Sequence, residues 1–224
     1  MNEKIDNIQL INIQKLFHEI KTPLNIIIGF SELIYATDNI HEKNNYINLI
    51  RTNSAQLLDL INHHNHQIQS NLLNTKEAFD ISLLFRELRT SFKLLTPEKT
   101  EIILDLEFEN HIIVSDKNKL FQILTNFISN AIKFSNGGKI IVGYKIQNNG
   151  IRLFAEDSGI GIAEEFRTKI FQEYIRLHPE IEGLGLGLSI CKSIIEDLKG
   201  EIGVESNYPA GSIFWAFIPL EKSK

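Results

Sequence analysis

The chain has 224 residues, 43% of them hydrophobic and 23% charged, which is the composition of an ordinary globular protein. Its formal net charge of −5 gives no basic field that would attract nucleic acid or an anionic membrane, so we expect no nucleic-acid partner. No apolar run approaches the roughly 20 residues that span a bilayer, no signal peptide is recognisable, and the single Cys191 cannot form an internal disulfide. We therefore expect a cytoplasmic location, with any membrane or sensor segment outside this chain. Because a helical pattern begins almost at Met1, the chain resembles a fragment of a longer protein, although a naturally short protein fits as well.

Two long amphipathic helices are predicted for residues 1 to 68. The first shows apolar residues at the three- and four-residue spacing of a helix face, at Ile13, Leu16, Ile20, Leu24 and Ile27. Thr37–Asn39 interrupts this pattern, and a second helical pattern runs from Tyr46 to Ile61. One such hairpin leaves its apolar stripe uncovered, whereas two hairpins that pair as a four-helix bundle would bury it. The sequence therefore predicts a homodimer through the hairpin.

His18 and Glu19 are neighbours on the polar side of the first predicted helix. A histidine that faces water has an available ring nitrogen, which suits it to nucleophilic attack or proton transfer. Glu19 could accept the proton of the other ring nitrogen. A histidine on a helix surface usually has no such role, so the pair gains meaning only from the motifs downstream of it in the chain.

The rest of the chain mixes helices and strands after a polar linker predicted at residues 69–78. Helices are predicted over residues 81–95, 116–134, 164–172 and 188–198, with Asp116 as the N-cap of the second. Strands are predicted over residues 101–108, 112–114, 139–146, 151–156, 201–205 and 212–218, with a turn at Asn148-Asn149-Gly150. Helices beside a largely antiparallel sheet indicate a two-layer α/β sandwich over residues 79–224, so the whole chain is predicted to be α+β.

Asn126, Asn130 and Lys133 share one side of the helix predicted at residues 116–134, because they are spaced by four and three residues. Two carboxamides and an ammonium in a row suit a phosphate chain and its cation. An amide oxygen can ligate Mg²⁺, and an ammonium can pair with phosphate. A solvated helix face has the same composition, and from this helix alone that simpler interpretation is favoured.

Two loops that contain glycine come after this helix. Asp157-Ser158-Gly159-Ile160-Gly161 comes directly after a predicted strand, and its glycines let the backbone approach a flat ligand whose amine could donate to the carboxylate. Gly183, Gly185 and Gly187 precede a predicted helix, where free backbone N–H groups can bind phosphate. Between the loops, residues 170–176 carry aromatic side chains that could anchor a mobile flap and an arginine that could reach a phosphate.

In order and spacing, over nearly all of the chain, these segments resemble the motifs of the sensor histidine kinases of two-component signalling. His18-Glu19-Ile20-Lys21-Thr22-Pro23-Leu24 resembles the family's phosphoacceptor box, and residues 126–135 resemble its asparagine box. Residues 157–161 and 183–187 resemble its two glycine boxes, and residues 171–174 its phenylalanine box. Leu184 replaces the small hydroxyl residue usual in the second glycine box, and the lid is short, which bears on lid contacts and nucleotide affinity.

The resemblance implies an autokinase that uses ATP and Mg²⁺. It implies a dimerisation and phosphotransfer hairpin at residues 1–68 and a Bergerat-type ATP-binding domain at residues 79–224. His18 would attack the γ-phosphorus through Nε2 while Glu19 polarises the ring from Nδ1, and Thr22 would orient water for the reverse, dephosphorylating reaction. Asn130 would ligate Mg²⁺, and the nucleotide would contact Asn126, Lys133, Phe134, Asp157, Gly159, Gly161, Tyr174, Arg176, Gly183, Gly185 and Gly187. The implied phosphoryl acceptor is an aspartate of a response-regulator receiver domain.

Three other functions compete with this one. The same ATP fold occurs in gyrase, mismatch-repair and chaperone ATPases, but the helical hairpin that carries His18 argues against those enzymes. A degenerate scaffold without catalysis is disfavoured because His18, Asn130 and Asp157 are all present. An enzyme that acts on its partner mainly as a phosphatase is also compatible with the sequence.

Overall fold

The computed structural model describes residues 20–70, 76–93, 96–97, 99–135, 137–178, 181 and 185–220. The chain divides into two compact units, of which the first contains a helical hairpin and the second contains a sheet with its helices. No helix in the described part of the chain is long and apolar enough to cross a membrane.

The first unit contains helix α1, described over residues 20–36, and helix α2, Ile40–Ser70. The predicted break at residues 37–39 is confirmed, and Asn39 caps α2: its side-chain oxygen accepts from the His41 N–H at 2.9 Å. The two helices contact each other through Phe30 and Tyr46, whose stacked rings lie 5.4 Å apart. The apolar residues predicted before Ile20 lie outside the described residues.

The predicted linker at residues 69–78 is longer than the structure allows. Helix α2 continues through Ser70, and strand β1, Glu77–Asp80, begins before the predicted linker ends. The helix continues because residues 65–70 contain neither proline nor glycine, and asparagine and glutamine are compatible with a solvated helix.

The residues of the second unit that the structure describes form two sheets. Strand β1 pairs antiparallel with β3, Ile112–Ser115, in a two-stranded sheet that the sequence pattern did not predict. The main sheet has the order β2-β4-β5-β7-β6. Its strands are β2 Thr100–Leu106, β4 Gly138–Gln147, β5 Gly150–Asp157, β6 Glu201–Asn207 and β7 Ala210–Pro219. Among the described strands of this sheet, only β2 and β4 pair in parallel, so the prediction of a largely antiparallel sheet is confirmed.

In the described part of the second unit, three α-helices complete the sandwich: α3 Ile81–Lys93, α4 Lys117–Phe134 and α5 Gly187–Asp197. Asp116 caps α4 as predicted, because its carboxylate accepts from the Lys119 N–H at 3.1 Å. The apolar sides of α3, α4 and α5 bury their side chains together with those of one sheet face. This core contains Leu84, Phe85, Leu120, Ile123, Leu124, Phe127, Ile140, Val142, Leu153, Ala155, Ile194 and Ala216.

The helix predicted at residues 164–172 is wrong. Two short 3-10 helices replace it, Glu164–Phe166 and Lys169–Phe171, held by i to i+3 bonds such as Gln172 N–H to Lys169 O at 2.9 Å. So short a segment gains little from α-helical bonding, and packing decides its shape by burying Ile170 and Phe171.

Candidate functional site

Asp157 is the last residue of β5 and the most deeply buried acidic group of the site, with only 6% of its surface exposed. Its Oδ1 accepts from the Gly159 N–H at 2.8 Å, and the Ser212 backbone donates a second bond. Burial raises the pKa of Asp157, although the two backbone bonds act in the opposite direction and Glu156 adds to the rise. The arrangement fixes a carboxylate that has acceptor capacity left for a donor outside the protein.

Gly159 permits the loop after β5 to lie against the end of α4. A Cβ at residue 159 would stand 2.8 Å from both the carbonyl carbon of Phe134 and Oδ1 of Asp157, and closer still to the Phe134 oxygen. Gly161 has a φ of +73° and lies against the β6–β7 turn, so it also requires glycine. The backbone thus passes close to the floor of the site in a way that side chains would prevent.

Asn126, Asn130 and Lys133 lie on α4 as predicted, the two asparagines half-buried and the lysine exposed. The Asn126 side chain packs closely against Gly187 and is not simply solvated: a Cβ at residue 187 would stand 2.9 Å from Asn126 Oδ1. Burial raises the pKa of the Cys191 thiol to about 12, against a hydrogen bond with Asn126 that lowers it. Asn126 therefore connects α4 to the first turn of α5.

The segment that joins the 3-10 helices to α5 is tied at its two ends. The Tyr174 N–H donates to the Gly185 carbonyl at 3.1 Å, and both residues have positive φ, +63° and +74°. A Cβ on Gly185 would stand 2.7 Å from the Ile175 carbonyl oxygen. The start of α5 is fixed next to this contact, because Leu186 is buried and its carbonyl accepts from the Ile190 N–H at 3.0 Å.

The structure brings several of the predicted site residues of the second unit together. Asp157, Gly159 and Phe134 meet at one end of α4, Asn126 meets Gly187, and Tyr174 meets Gly185. Arg176 is exposed, and Thr22 lies exposed on α1 in the other unit. His18, Glu19 and Gly183 lie outside the described residues.

Sequence reasoning missed the contribution of the β6–β7 turn to this site. Ser212 donates to Asp157, and the Gly211 N–H donates to the Gly159 carbonyl at 2.8 Å. The only local signal was a Gly-Ser pair at the start of the last strand, which is also common in hairpins without a function.

Two family models match this chain. Residues 13–63 match the His Kinase A (phospho-acceptor) domain. Residues 115–222 match the histidine kinase-, DNA gyrase B- and HSP90-like ATPase domain, which contains α4, the loop after β5 and α5.

Individual relatives and solved structures similar to this chain point to the same family. Autoinducer 2 sensor kinase/phosphatase LuxQ of Vibrio vulnificus is 32% identical over 94% of this chain, which spans 26% of LuxQ. Full-length ShkA, solved in complex with AMPPNP, has a TM-score of 0.71 and 27% identity, covering 95% of this chain and 46% of its own. The catalytic domain of histidine kinase ThkA has a TM-score of 0.58 and 30% identity, covering 64% of this chain and 95% of its own.

The chain spans about a quarter of the length of the curated relatives it matches first, such as LuxQ at 26%. Within that span it carries a phospho-acceptor match on a helical hairpin and an ATPase match on an α/β sandwich, in the order predicted from its motifs. The predicted fold class is confirmed, and the chain belongs to the sensor histidine kinases of two-component systems.

Proposed function

We propose that this chain is the ATP-dependent kinase core of a two-component sensor, which phosphorylates its own His18 and passes the phosphoryl group to an aspartate of a response-regulator receiver domain. The proposal depends mainly on one observation: the buried Asp157, the loop that contains Gly159 and the first turn of α5 all meet α4. This ATPase-type site occurs in one chain with the phospho-acceptor match. Gyrase-type ATPases come under the second family model by its own description, but they do not account for the match to the His Kinase A (phospho-acceptor) domain, so they fit the chain less well.

In this proposal the nucleotide base is recognised by Asp157. Its buried carboxylate keeps acceptor capacity for the exocyclic amine of adenine, and Gly159 and Gly161 let the ring approach the backbone. The phosphates would meet Asn126 and Lys133 on α4. The bound AMPPNP named for the similar ShkA structure supports a nucleotide in this fold.

Asn130 is the residue we assign to Mg²⁺. No group of three or more His, Cys, Asp or Glu side chains is placed to hold a metal ion among the residues that the structure describes. The single amide oxygen of Asn130 fits Mg²⁺, which commonly takes one or two protein oxygens and completes its shell with phosphate and water. The ion would supply neutralisation of phosphate charge, and Asn130 would orient it through a neutral amide oxygen.

The proposed transfer is a displacement at the γ-phosphorus. His18 Nε2 forms the new N–P bond as the bond to the leaving ADP oxygen breaks, and Glu19 accepts from Nδ1–H to stabilise the ring as it becomes positive. Catalysis would consist mainly of positioning and charge neutralisation. A lid would close over the phosphates, formed with its ends by Tyr174, Arg176, Gly183, Gly185 and Gly187.

Replacement of the nucleophile tests the assignment directly. His18→Gln should leave ATP binding intact and abolish acid-labile labelling of the chain by γ-labelled ATP. His41→Gln is the matched control, because His41 is exposed at the start of α2 and should be dispensable. Undiminished labelling of the His18 variant would contradict the proposal.

The receiver domain would dock around His18 on the hairpin. Thr22, which lies on α1 four residues after His18 in the sequence, would orient water for removal of the phosphoryl group from the receiver. The name of LuxQ, a kinase/phosphatase, supports both activities. Thr22→Ala should reduce phosphatase activity and spare autokinase activity, whereas equal loss of both would show a structural role.

We further propose a homodimer through the hairpin, in the cytoplasm where ATP and receiver domains occur. Large apolar side chains of the hairpin are exposed by about two-fifths, namely Leu24 at 42%, Ile28 at 48%, Leu33 at 44% and Leu49 at 40%. An open apolar groove is lined by Ile26, Gly29, Phe30 and Leu33. Burying such side chains contributes roughly 1.5–3 kcal/mol each, which favours association.

Light scattering tests the dimer. The parent should be a dimer at tens of micromolar, and Leu33→Glu should shift it toward monomer. Leu83→Glu is the control, because Leu83 is 58% exposed but lies on α3 in the second unit. A monomeric parent would refute the dimer without touching the assignment of the ATP site.

A further inference from the structure

The glycine loop after β5 is held by a side chain from a distant strand. Ser206, near the end of β6, accepts the Ile162 N–H at 2.8 Å and donates its hydroxyl hydrogen to the Gly211 carbonyl at 2.7 Å. Its Oγ also lies 3.3 Å from the Ser212 hydroxyl. One hydroxyl therefore joins the last residue of the loop to the β6–β7 turn.

Arg167, directly after the first 3-10 helix, strengthens the same junction. Its guanidinium donates to the Ser206 carbonyl at 2.6 Å, and its Nε lies 3.5 Å from the Ile162 carbonyl. The side chain is half-buried. Because one rigid, planar group reaches the backbone on both sides of the contact, it resists separation of the loop from the strand.

The junction is connected to the Asp157 carboxylate over a short path. The Gly211 N–H donates to the Gly159 carbonyl at 2.8 Å, and the next residue, Ser212, gives Asp157 a backbone hydrogen bond. Gly161 fits so closely that a Cβ there would stand 3.1 Å from Ser206 Oγ. A shift of the β6–β7 turn would therefore move the carboxylate and its loop together.

We propose that Ser206 and Arg167 are positioning residues for nucleotide recognition, which hold the 157–162 loop against the β6–β7 turn so that Asp157 meets the adenine amine in the correct orientation. The inference rests on the proposed function, since it assigns a role in the same ATP site. Neither residue belongs to the motifs that identify the site in the sequence, and the contacts of both described above are with other groups of the protein, chiefly its backbone.

The expected effect is on base recognition rather than on chemistry. Ser206→Ala removes the acceptor of Ile162 N–H and the donor to Gly211. Loss of hydrogen bonds of this kind corresponds to roughly three- to tenfold in affinity. Preference for ATP over GTP should fall as well, because discrimination depends on an aligned acceptor for the amine. The turnover rate at saturating ATP should stay unchanged.

The experiment uses the full 224-residue chain. Calorimetry would give the ATP and GTP affinities of the parent, Ser206→Ala, Ser206→Thr and Arg167→Met, with melting temperatures measured on the same samples. Ser206→Thr keeps the hydroxyl and should restore parent affinity. Ser91→Ala is the matched control, because Ser91 is exposed on α3 and its hydroxyl donates within that helix, to the Glu87 carbonyl at 3.1 Å.

Support requires weaker ATP binding and lower ATP preference in both Ser206→Ala and Arg167→Met, with Ser206→Thr and Ser91→Ala like the parent. Variants that melt at a lower temperature but bind ATP and GTP like the parent would overturn the inference and leave the proposed function standing. A parent that binds no ATP would overturn both. If Ser206→Ala does not fold, Arg167→Met decides, because it removes bonds to two backbone carbonyls without emptying the loop junction.

Discussion

Gly159→Ala tests how closely the loop after β5 packs against the end of α4. The new methyl would stand 2.8 Å from Oδ1 of Asp157 and from the Phe134 carbonyl carbon, and nearer still to the Phe134 oxygen. Real Cβ atoms essentially never come within 3.0 Å of such neighbours, and here part of the obstacle is helix backbone that cannot rotate away. The loop must therefore move outward by a sizeable fraction of an ångström, at a cost of about 1–3 kcal/mol.

This cost predicts a lower melting temperature and a damaged nucleotide site. For a domain of this size, each kcal/mol lowers the melting temperature by about 2–4 °C, so the second unit should melt roughly 2–12 °C earlier. ATP affinity should fall by more than tenfold, because Asp157 moves with the loop. Differential scanning calorimetry and ATP titration on the same preparation measure the two effects.

Gly187→Ala is the matched comparison. Its methyl would stand 2.9 Å from Asn126 Oδ1, which is the end of a side chain that can turn, and its helical position accepts alanine. It should keep the melting temperature of the parent while weakening ATP binding, since the displaced carboxamide would no longer face the phosphates of the proposed site. The reasoning is refuted if Gly159→Ala melts with the parent or if Gly187→Ala melts well below it.

Three further results are expected. Asp116→Ala removes the cap on the Lys119 N–H and should lower the free energy of unfolding by about 1 kcal/mol in urea titration; no change would show that water replaces the cap. Asp157→Asn should have a higher free energy of unfolding than the parent at neutral pH, and the two should converge at acidic pH. The pKa of Asp157 is raised in the folded chain, so its contribution to stability is lost as pH rises through that value. A constant difference across pH would contradict the raised pKa. Tyr144→Phe removes a buried hydroxyl that donates to the Phe108 carbonyl at 2.7 Å and should cost about 1 kcal/mol, measured by thermal unfolding, with ATP affinity unchanged.

The sequence predicts most of this fold because its strongest local signals agree with the tertiary structure. Asp116 marks the start of α4, and Asn148 and Asn149 both adopt the positive φ that a tight hairpin needs. Strand β1 carries no comparable signal, because it has four residues and exists through its pairing with β3. The 3-10 helices were mistaken for an α-helix because periodicity cannot distinguish the two over so few residues.

The same distinction applies to the candidate site: residues that are close in the sequence could be predicted, and contacts between distant segments could not. Asp157, Gly159 and Gly161 fall in one short loop, so their chemistry can be inferred from composition and spacing. Ser206 joins that loop from 44 positions away, and a serine in an edge strand has no local feature that sets it apart. Asn126 was predicted on a phosphate-facing stripe, and its contact with Gly187 depends on how α5 packs, which no local pattern contains.

The hydrogen bond between Tyr174 and Gly185 brings together the two ends of the segment between them. Because the chain enters and leaves that segment at one point, a change in its length need not move the loop at residues 157–162 or the start of α5. Doubling the length of a loop closed in this way costs only about 0.6 kcal/mol of entropy. In the proposed site, the length of this segment would therefore change how long a nucleotide stays bound and leave the choice of base unchanged.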